Sequence, residues 1–254
     1  MNSSPRERLV EAGTRLLERD GPEALQARRV AAEIGASTMA VYTHFGGMNG
    51  LLEAIVGAAF ERFGVALASA PTTDDPVADF FVMGYAYREF ALASPQRYRL
   101  MFGLAAPLLL STPPAEMPVE SATFGQLVTV VRRIVATGRI RADDEVELAY
   151  RIWSMIHGVV LLEIVGALQS DGRALTHILG PMTVDMFVGM GVERRRAEES
   201  LQRAAAMIAD RIQRSATPGS PNLELARETS SSGHGNDRLD AGRRNQRRSN
   251  NPSR

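Results

Sequence analysis

Residues 25–45, LQARRVAAEIGASTMAVYTHF, constrain the fold more tightly than any other stretch of the chain. Val30 and Ile34 form an i, i+4 pair that faces one core. Ala31 sits beside them where two helices cross closely, and a larger side chain would push them apart. Gly35 follows four residues later, where the chain leaves a helix with a positive φ that only glycine adopts cheaply. Val41, six residues further on, fills the angle between the helices. This is the layout of two short helices joined by a tight turn, the second free to enter a DNA major groove.

The second helix carries suitable side chains. Ser37 stands at the N-cap position. Thr38, Met39 and Ala40 fall at the exposed N-terminal end, with Thr43 and His44 further along. Thr, Met and Ala can touch base edges and thymine methyls, while hydroxyls, Tyr42 and Arg28 can reach phosphates. Val41 and Phe45 turn inward. The plain alternative is a short surface helix in an all-α core, with the Ala-Gly-Val spacing arising by chance.

Residues 6–60 resemble the N-terminal DNA-binding domain of the TetR family of transcriptional regulators. The resemblance rests on RERLVEAGTRLLERDGPEAL, on RRVAAEIG and on ASTMAVYTHFGGMNGLLEAI, above all on Val41, Tyr42, Phe45, Leu51 and Leu52. Two positions depart from it. Gln26 stands where the family has Thr or Ser opening the second helix, and Gly47-Met48-Asn49 replaces the stretch that commonly carries a Lys before the fourth. The Met48 and Asn49 backbone N–H groups can still hold a phosphate at a helix N-terminus.

Charge and composition bound the rest. Net charge is zero, and the first 60 residues hold six Arg against seven acidic residues. DNA binding would therefore depend on local placement of Arg28, Arg29, hydroxyls and helix ends, with a modest salt dependence. There is no cysteine, hence no disulfide, thiolate zinc site or Cys nucleophile. No apolar run approaches a membrane span, and the charged N-terminus is unlike a signal peptide. A cytoplasmic protein without cofactor or metal is expected.

The fold class expected is all-α. Helices are predicted from Pro5 to Arg19, across the two already described, from Met48 through Phe63, from Pro76 to Ala93 after an Asp75 cap, and from Pro95 through Phe102. Ala106 to Pro118, with four prolines, reads as an irregular loop. Further helices are expected over Val119–Ala136, from Asp143 or Asp144 to about Leu168, within Arg173–Gly191 with a break or late start at Gly180-Pro181, and over Glu193–Arg214. The domains expected are a helix-turn-helix DNA-binding domain over 1–47, a helical effector-binding and dimerisation domain over 48–214, and a disordered basic tail over 215–254.

A second cluster is Trp153, His157 and Gly158, the first two an i, i+4 pair on one helix face. It resembles the Trp-x-x-x-His-Gly signature of the effector domain in one branch of the TetR family, which extends the resemblance to about residue 192. Alone, the pattern fits a core tryptophan and a satisfied buried histidine equally. The functional reading is a ligand cavity with His157 as its polar anchor. Phe80, Met83, Tyr87, Tyr98, Met101, Phe102, Phe124 and Met155 are the other candidates for its lining, and as a set they suit an apolar or aromatic effector. Val159, Val160, Leu161, Leu162, Ile164 and Val165 make their helix apolar nearly all round, so it must be buried on every side. With Met182, Met186, Phe187 and Met190 it is expected to form a homodimer interface. A two-fold dimer would place two reading helices about 34–36 Å or somewhat further apart on palindromic double-stranded DNA.

A homodimeric, ligand-responsive repressor fits best. A helical ligand-binding or dimerisation protein without specific DNA recognition is the alternative. An enzyme lacks support: the four histidines at 44, 157, 177 and 234 form no His-x-x-x-His or Glu-x-x-His pattern, and no Gly-rich phosphate loop occurs.

Overall fold

The computed structural model describes residues 3–104, 123–140, 144–169 and 171–216. Among them are ten α-helices and no strand. The helix α1 (Pro5–Asp20) begins in a capping box: Ser4 Oγ accepts from the Glu7 N–H at 3.2 Å, and Glu7 Oε2 accepts from the Ser4 N–H at 2.8 Å. One 3₁₀ turn (Pro22–Ala24) leads to α2 (Ala27–Glu33) and α3 (Thr38–Phe45). Gly35 has φ +65°, as the turn between them requires. Gln26 and Ser37 both occupy N-cap positions with extended backbone, yet neither side chain makes a capping bond. Gln26 Nε2 instead donates to the Glu23 carbonyl at 3.2 Å.

Next come α4 (Met48–Ala68), α5 (Pro76–Ala93), α6 (Pro95–Met101), α7 (Phe124–Ala136) and α8 (Glu145–Ile164). Asp75 caps α5 through the Ala78 N–H at 3.3 Å. Asp144 caps α8 through the Val146 and Glu147 N–H groups at 2.8 and 3.1 Å. The helix α8 stops four residues short of Leu168, and Gly166 at φ +78° turns the chain away. The segment Arg173–Gly191 forms two pieces that meet at Gly180, as expected, although the chain does not leave the helix between them. A π-helical stretch (Ala174–Leu179) runs directly into α9 (Gly180–Gly189). Proline lacks the N–H and crowds the carbonyl one turn back, and a wider preceding turn accommodates both. The last helix is α10 (Arg194–Ala216). The expected loop over 106–118, residues 119–122 of the expected seventh helix, Asp143, and the tail beyond 216 lie outside the described residues.

The described residues up to Ile208 form one compact unit, and the end of α10 from Ala209 lies outside it. The compact unit holds two hydrophobic cores. One gathers Leu9, Leu16, Leu17, Val30, Ala31, Val41, Leu51, Leu52 and Ile55 from α1–α4, with Leu100 from α6. The other runs from Ala59 to Ala204 and includes Phe63, Phe80, Tyr87, Tyr98, Phe124 and Phe187. Each such side chain contributes about 1.5–3 kcal/mol when fully buried. The cores part within α4, between Ile55 and Ala59, so that helix belongs to both. The helix α6 also serves both: Leu100 enters the first core, Tyr98 and Met101 the second.

Candidate DNA-reading helix and effector site

The helix α3 shows a reader's asymmetry. Val41 is fully buried, while Met39 and Tyr42 are 66% and 54% exposed. Thr38, Thr43 and His44 are exposed and Ala40 half-buried. Thr43 Oγ1 donates to the Met39 carbonyl at 2.9 Å, which leaves its lone pairs for an outside donor. Around α3, arginines mostly hold the module together. Arg29 pairs with Asp20 at 2.6 Å, Arg19 with Glu33 at 2.8 Å, Arg8 donates to the Ile34 carbonyl at 3.2 Å, and Arg6 lies 5.1 Å over the Phe45 ring. Arg28 is exposed and has no ion pair among the described residues.

A close approach fixes the turn from α3 into α4, and the sequence reading missed it. Gly46 has φ +71°. A Cβ on Gly50 would lie 2.1 Å from the Phe45 carbonyl oxygen. Met48 is half-buried and Asn49 exposed at the first turn of α4. The repeated glycines of GGMNG were the available signal.

The second cluster is a buried hydrogen-bond chain. Trp153 Nε1 donates to the Tyr87 hydroxyl at 3.1 Å. The Tyr87 and Tyr98 hydroxyls are 2.6 Å apart, and the Tyr98 hydroxyl is 2.6 Å from His157 Nδ1, with Tyr87 at 3.1 Å from the same atom. Indole is a donor only, so Trp153 donates to the Tyr87 hydroxyl, and the direction of the remaining bonds follows the tautomer of His157. Burial holds His157 below its ordinary pKa and pushes both tyrosines well above theirs. Phe102 packs on this chain, 4.7 Å from the His157 ring and 4.8 Å from the Tyr98 ring.

Two apolar cavities lie in this domain, and the smaller adjoins the chain at Tyr87 and Trp153. The smaller, about 40 Å³, is lined by Phe80, Met83, Tyr87, Thr123, Phe124 and Trp153 among others. The larger, about 290 Å³, lies between α5, α8, the π-helical stretch, α9 and α10, with Phe80 and Met155 in its wall. The expected lining residues therefore separate. Phe80, Met83, Tyr87, Phe124 and Trp153 line the smaller cavity, while Tyr98, Met101, Phe102 and His157 line neither. The tyrosines engage His157 through Nδ1.

The exposed apolar residues Leu162, Val165 and Met182 lie on or beside α8 and α9. Phe187, expected on that surface, is fully buried within the subunit, edge-on to Phe80 at 5.4 Å. Glu163 was unassigned in the sequence. It is buried and receives Arg88 through two bonds, Nε to Oε2 at 2.8 Å and Nη2 to Oε1 at 2.6 Å. Among the described residues no group of three or more His, Asp or Glu is placed to hold a metal ion, and no helix is long and apolar enough to cross a membrane.

A helix-turn-helix reader attached to a helical domain with apolar cavities defines a one-component, ligand-responsive DNA-binding protein. The comparisons give the family. Residues 9–55 match the domain of bacterial regulatory proteins of the tetR family, and residues 80–186 match the tetracyclin repressor-like C-terminal domain. The HTH-type transcriptional regulator Rv1816 of Mycobacterium tuberculosis is 28% identical over 194 residues, covering 65% of this chain and 82% of the relative. A Rhodococcus protein of unknown function is similar in structure, with TM-score 0.62, 27% identity, and coverage of 75% of this chain and 97% of that one. RolR in complex with resorcinol shares the fold at TM-score 0.57 and 19% identity, over 78% of this chain and 93% of RolR. The chain belongs to the TetR family of transcriptional regulators.

Proposed function

We propose that this regulator is a homodimeric repressor, released from a palindromic operator when a small apolar or aromatic effector binds the larger domain. Thr38, Met39, Ala40 and Thr43 read bases, with Arg28, Tyr42, His44 and the Met48 and Asn49 N–H groups on phosphates. Ser37 starts the reading helix. The helices α8 and α9 join the two subunits through the Leu162, Val165 and Met182 surface.

The observation that carries this reading is the position of α6. Ser94 Oγ, at its N-cap, donates to Glu18 of α1 at 3.1 Å, and Arg97 pairs with the same carboxylate. Arg99 donates to the Ile164 carbonyl at the end of α8 at 3.3 Å. Tyr98 is a link in the chain to His157 and Trp153. Displacement of that chain by a ligand therefore moves a helix whose other contacts are the DNA-reading module and the dimer helix. The effector acts only through its different affinity for the two spacings of the reading helices. Resorcinol, the ligand in the RolR complex, belongs to the effector class proposed here.

The test is selection of bound duplexes from a random DNA pool by the purified protein, with and without residues 216–254. A single recovered palindrome, lost on addition of an apolar effector, supports the reading. Recovery of nothing above background leaves a ligand-binding protein without DNA reading.

A further inference from the structure

Four residues, Phe80, Gly84, Ile152 and Ile156, line both cavities. They form the partition between the space beside Trp153 and the larger space under α10. Gly84 is the informative member. It lies inside α5, where glycine destabilises a helix relative to alanine. A Cβ there would sit 3.6 Å from Ile156 Cδ1, so a methyl just fits and anything larger fills the partition.

The smaller cavity also holds an orphan. Thr123 is 4% exposed, and its hydroxyl has no hydrogen-bond partner among the described residues. A buried unsatisfied hydroxyl is unfavourable unless something arrives to meet it. The neighbouring polar groups are taken: Trp153 Nε1 and the Tyr87 hydroxyl belong to the chain that ends on His157. In the larger cavity the hydroxyls of Thr176 and Thr183 are bound to the Gly172 and Leu179 carbonyls at 3.2 and 2.7 Å. Among the described residues no charged side chain lines either space.

We propose that the two cavities are the two ends of one ligand site, joined when Phe80 and Ile156 move aside, and that its ligand is a neutral molecule with one small hydrogen-bonding head and a long apolar tail. The proposal rests on the effector reading above and names the ligand class. The head, a hydroxyl or carbonyl, meets Thr123 in a space of about 40 Å³. The tail passes Gly84 into the space of about 290 Å³. An engineered cavity of about 150 Å³ holds benzene, so the larger end suits a tail of roughly eight to ten carbons. A neutral head is favoured over an anionic one because no cation among the described lining residues would replace its lost hydration. Gln202 and Ala205, exposed at the rim of the larger cavity, mark the entrance.

Trp153 is the only tryptophan of the chain and lines the head end, so its fluorescence reports binding directly. The experiment titrates full-length protein with 1-decanol and with decanoate at pH 8, following Trp153 emission and thermal midpoint. Decanol should shift the emission and raise the midpoint, and decanoate should bind at least about tenfold more weakly, since its charge stays unpaired. Thr123→Val should weaken decanol roughly three- to tenfold, the loss of one hydrogen bond. Gly84→Leu should weaken it by more than about tenfold by filling the passage. Leu201→Phe, at the half-buried wall of the larger end, provides the same block should Gly84→Leu fail to fold. No response in the wild type overturns the proposal, as does unchanged binding in all three variants. Decanol binding that depends on Gly84 and Thr123 but leaves operator affinity unchanged supports the site and removes the effector reading. A different compound that releases operator equally well from the wild type and Gly84→Leu supports the effector reading and removes the two-ended site.

Discussion

The two cores of this regulator are built by different means. In the DNA-reading module, backbone geometry holds the parts in place: positive φ at Gly35 and Gly46, and a contact at Gly50 with no room for a methyl group. Its ion pairs are exposed or half-exposed, and such pairs contribute little each. The effector domain relies on buried polar side chains reaching across long sequence separations, and it contains cavities. Tyr87 meets His157 across 70 residues, and Arg88 meets Glu163 across 75. Backbone-determined geometry gives a reader with one shape. Side-chain networks beside unfilled space give a domain with alternatives of similar energy, which a sensor needs.

The comparison is broken most severely at Glu163. Glu163→Ala removes the two-bond partner of the buried Arg88 and leaves it only the exposed Glu89 carboxylate at 2.9 Å, which should destabilise the protein by up to about 3–5 kcal/mol in urea unfolding. Replacing both partners together, Arg88→Met with Glu163→Leu, should recover most of that loss. Equal destabilisation by the single and double variants would mean that packing, not the unpaired charge, sets the cost.

The reader fails differently. Gly50→Ala drives a methyl into the Phe45 carbonyl, and backbone must move. We expect about 1–3 kcal/mol of destabilisation, with specific DNA binding lost and cavity binding retained. Wild-type operator affinity in Gly50→Ala would show that the turn from α3 into α4 tolerates a shift.

Two smaller changes probe the hydrogen-bond chain. In Tyr98→Phe, the Tyr87 hydroxyl can still turn to His157 Nδ1 at 3.1 Å, so the loss should be only about 0.5–1.5 kcal/mol. A much larger loss would show that Tyr87 cannot make that turn. The pH dependence follows from His157. Burial lowers its folded pKa below the ordinary 6.5, so on acidification the unfolded chain takes up that proton first. The stabilisation is complete above about pH 6.5 and is lost as pH falls through the folded value. Between pH 7.5 and 5.5 the wild type should therefore lose more stability than His157→Asn, measured as the urea midpoint. Parallel losses in the two proteins would place the titration elsewhere.

What was legible in the sequence follows the same division. The turn at Gly35, the caps at Asp75 and Asp144 and the inward face at Val41 are local, and local spacing reveals local geometry. The Trp153–His157 pairing was also visible as an i, i+4 repeat, but its partners were not. Tyr87 and Tyr98 are pocket candidates in the sequence, and nothing in their spacing shows that they engage His157 Nδ1. Thr123 was invisible because an orphaned hydroxyl is defined by what surrounds it. Glu163 was equally invisible, because its partner Arg88 lies 75 residues away in the sequence. The division within α4 was hidden for a related reason: its apolar face is continuous, and only the partners change between Ile55 and Ala59.

The smallest predicted effect distinguishes arginines that hold the reader together from those that face DNA. Arg28 and Arg29 are adjacent and both exposed, but Arg29 is paired with Asp20 at 2.6 Å while Arg28 has no ion pair among the described residues. A free cation on a phosphate displaces a condensed counterion, and an engaged one displaces less because it is already neutralised. Arg28→Ala should therefore weaken operator binding uniformly across sequences and lower the slope of log affinity against log salt by about one per subunit. Arg29→Ala should leave that slope nearly unchanged and instead cost about 0–1 kcal/mol of stability, as expected for a surface ion pair. Fluorescence anisotropy on one duplex across a salt series measures both. A slope that falls with Arg29 and not with Arg28 would mean that the Asp20 pair opens on DNA, and the reading face would then extend along α2 toward α1.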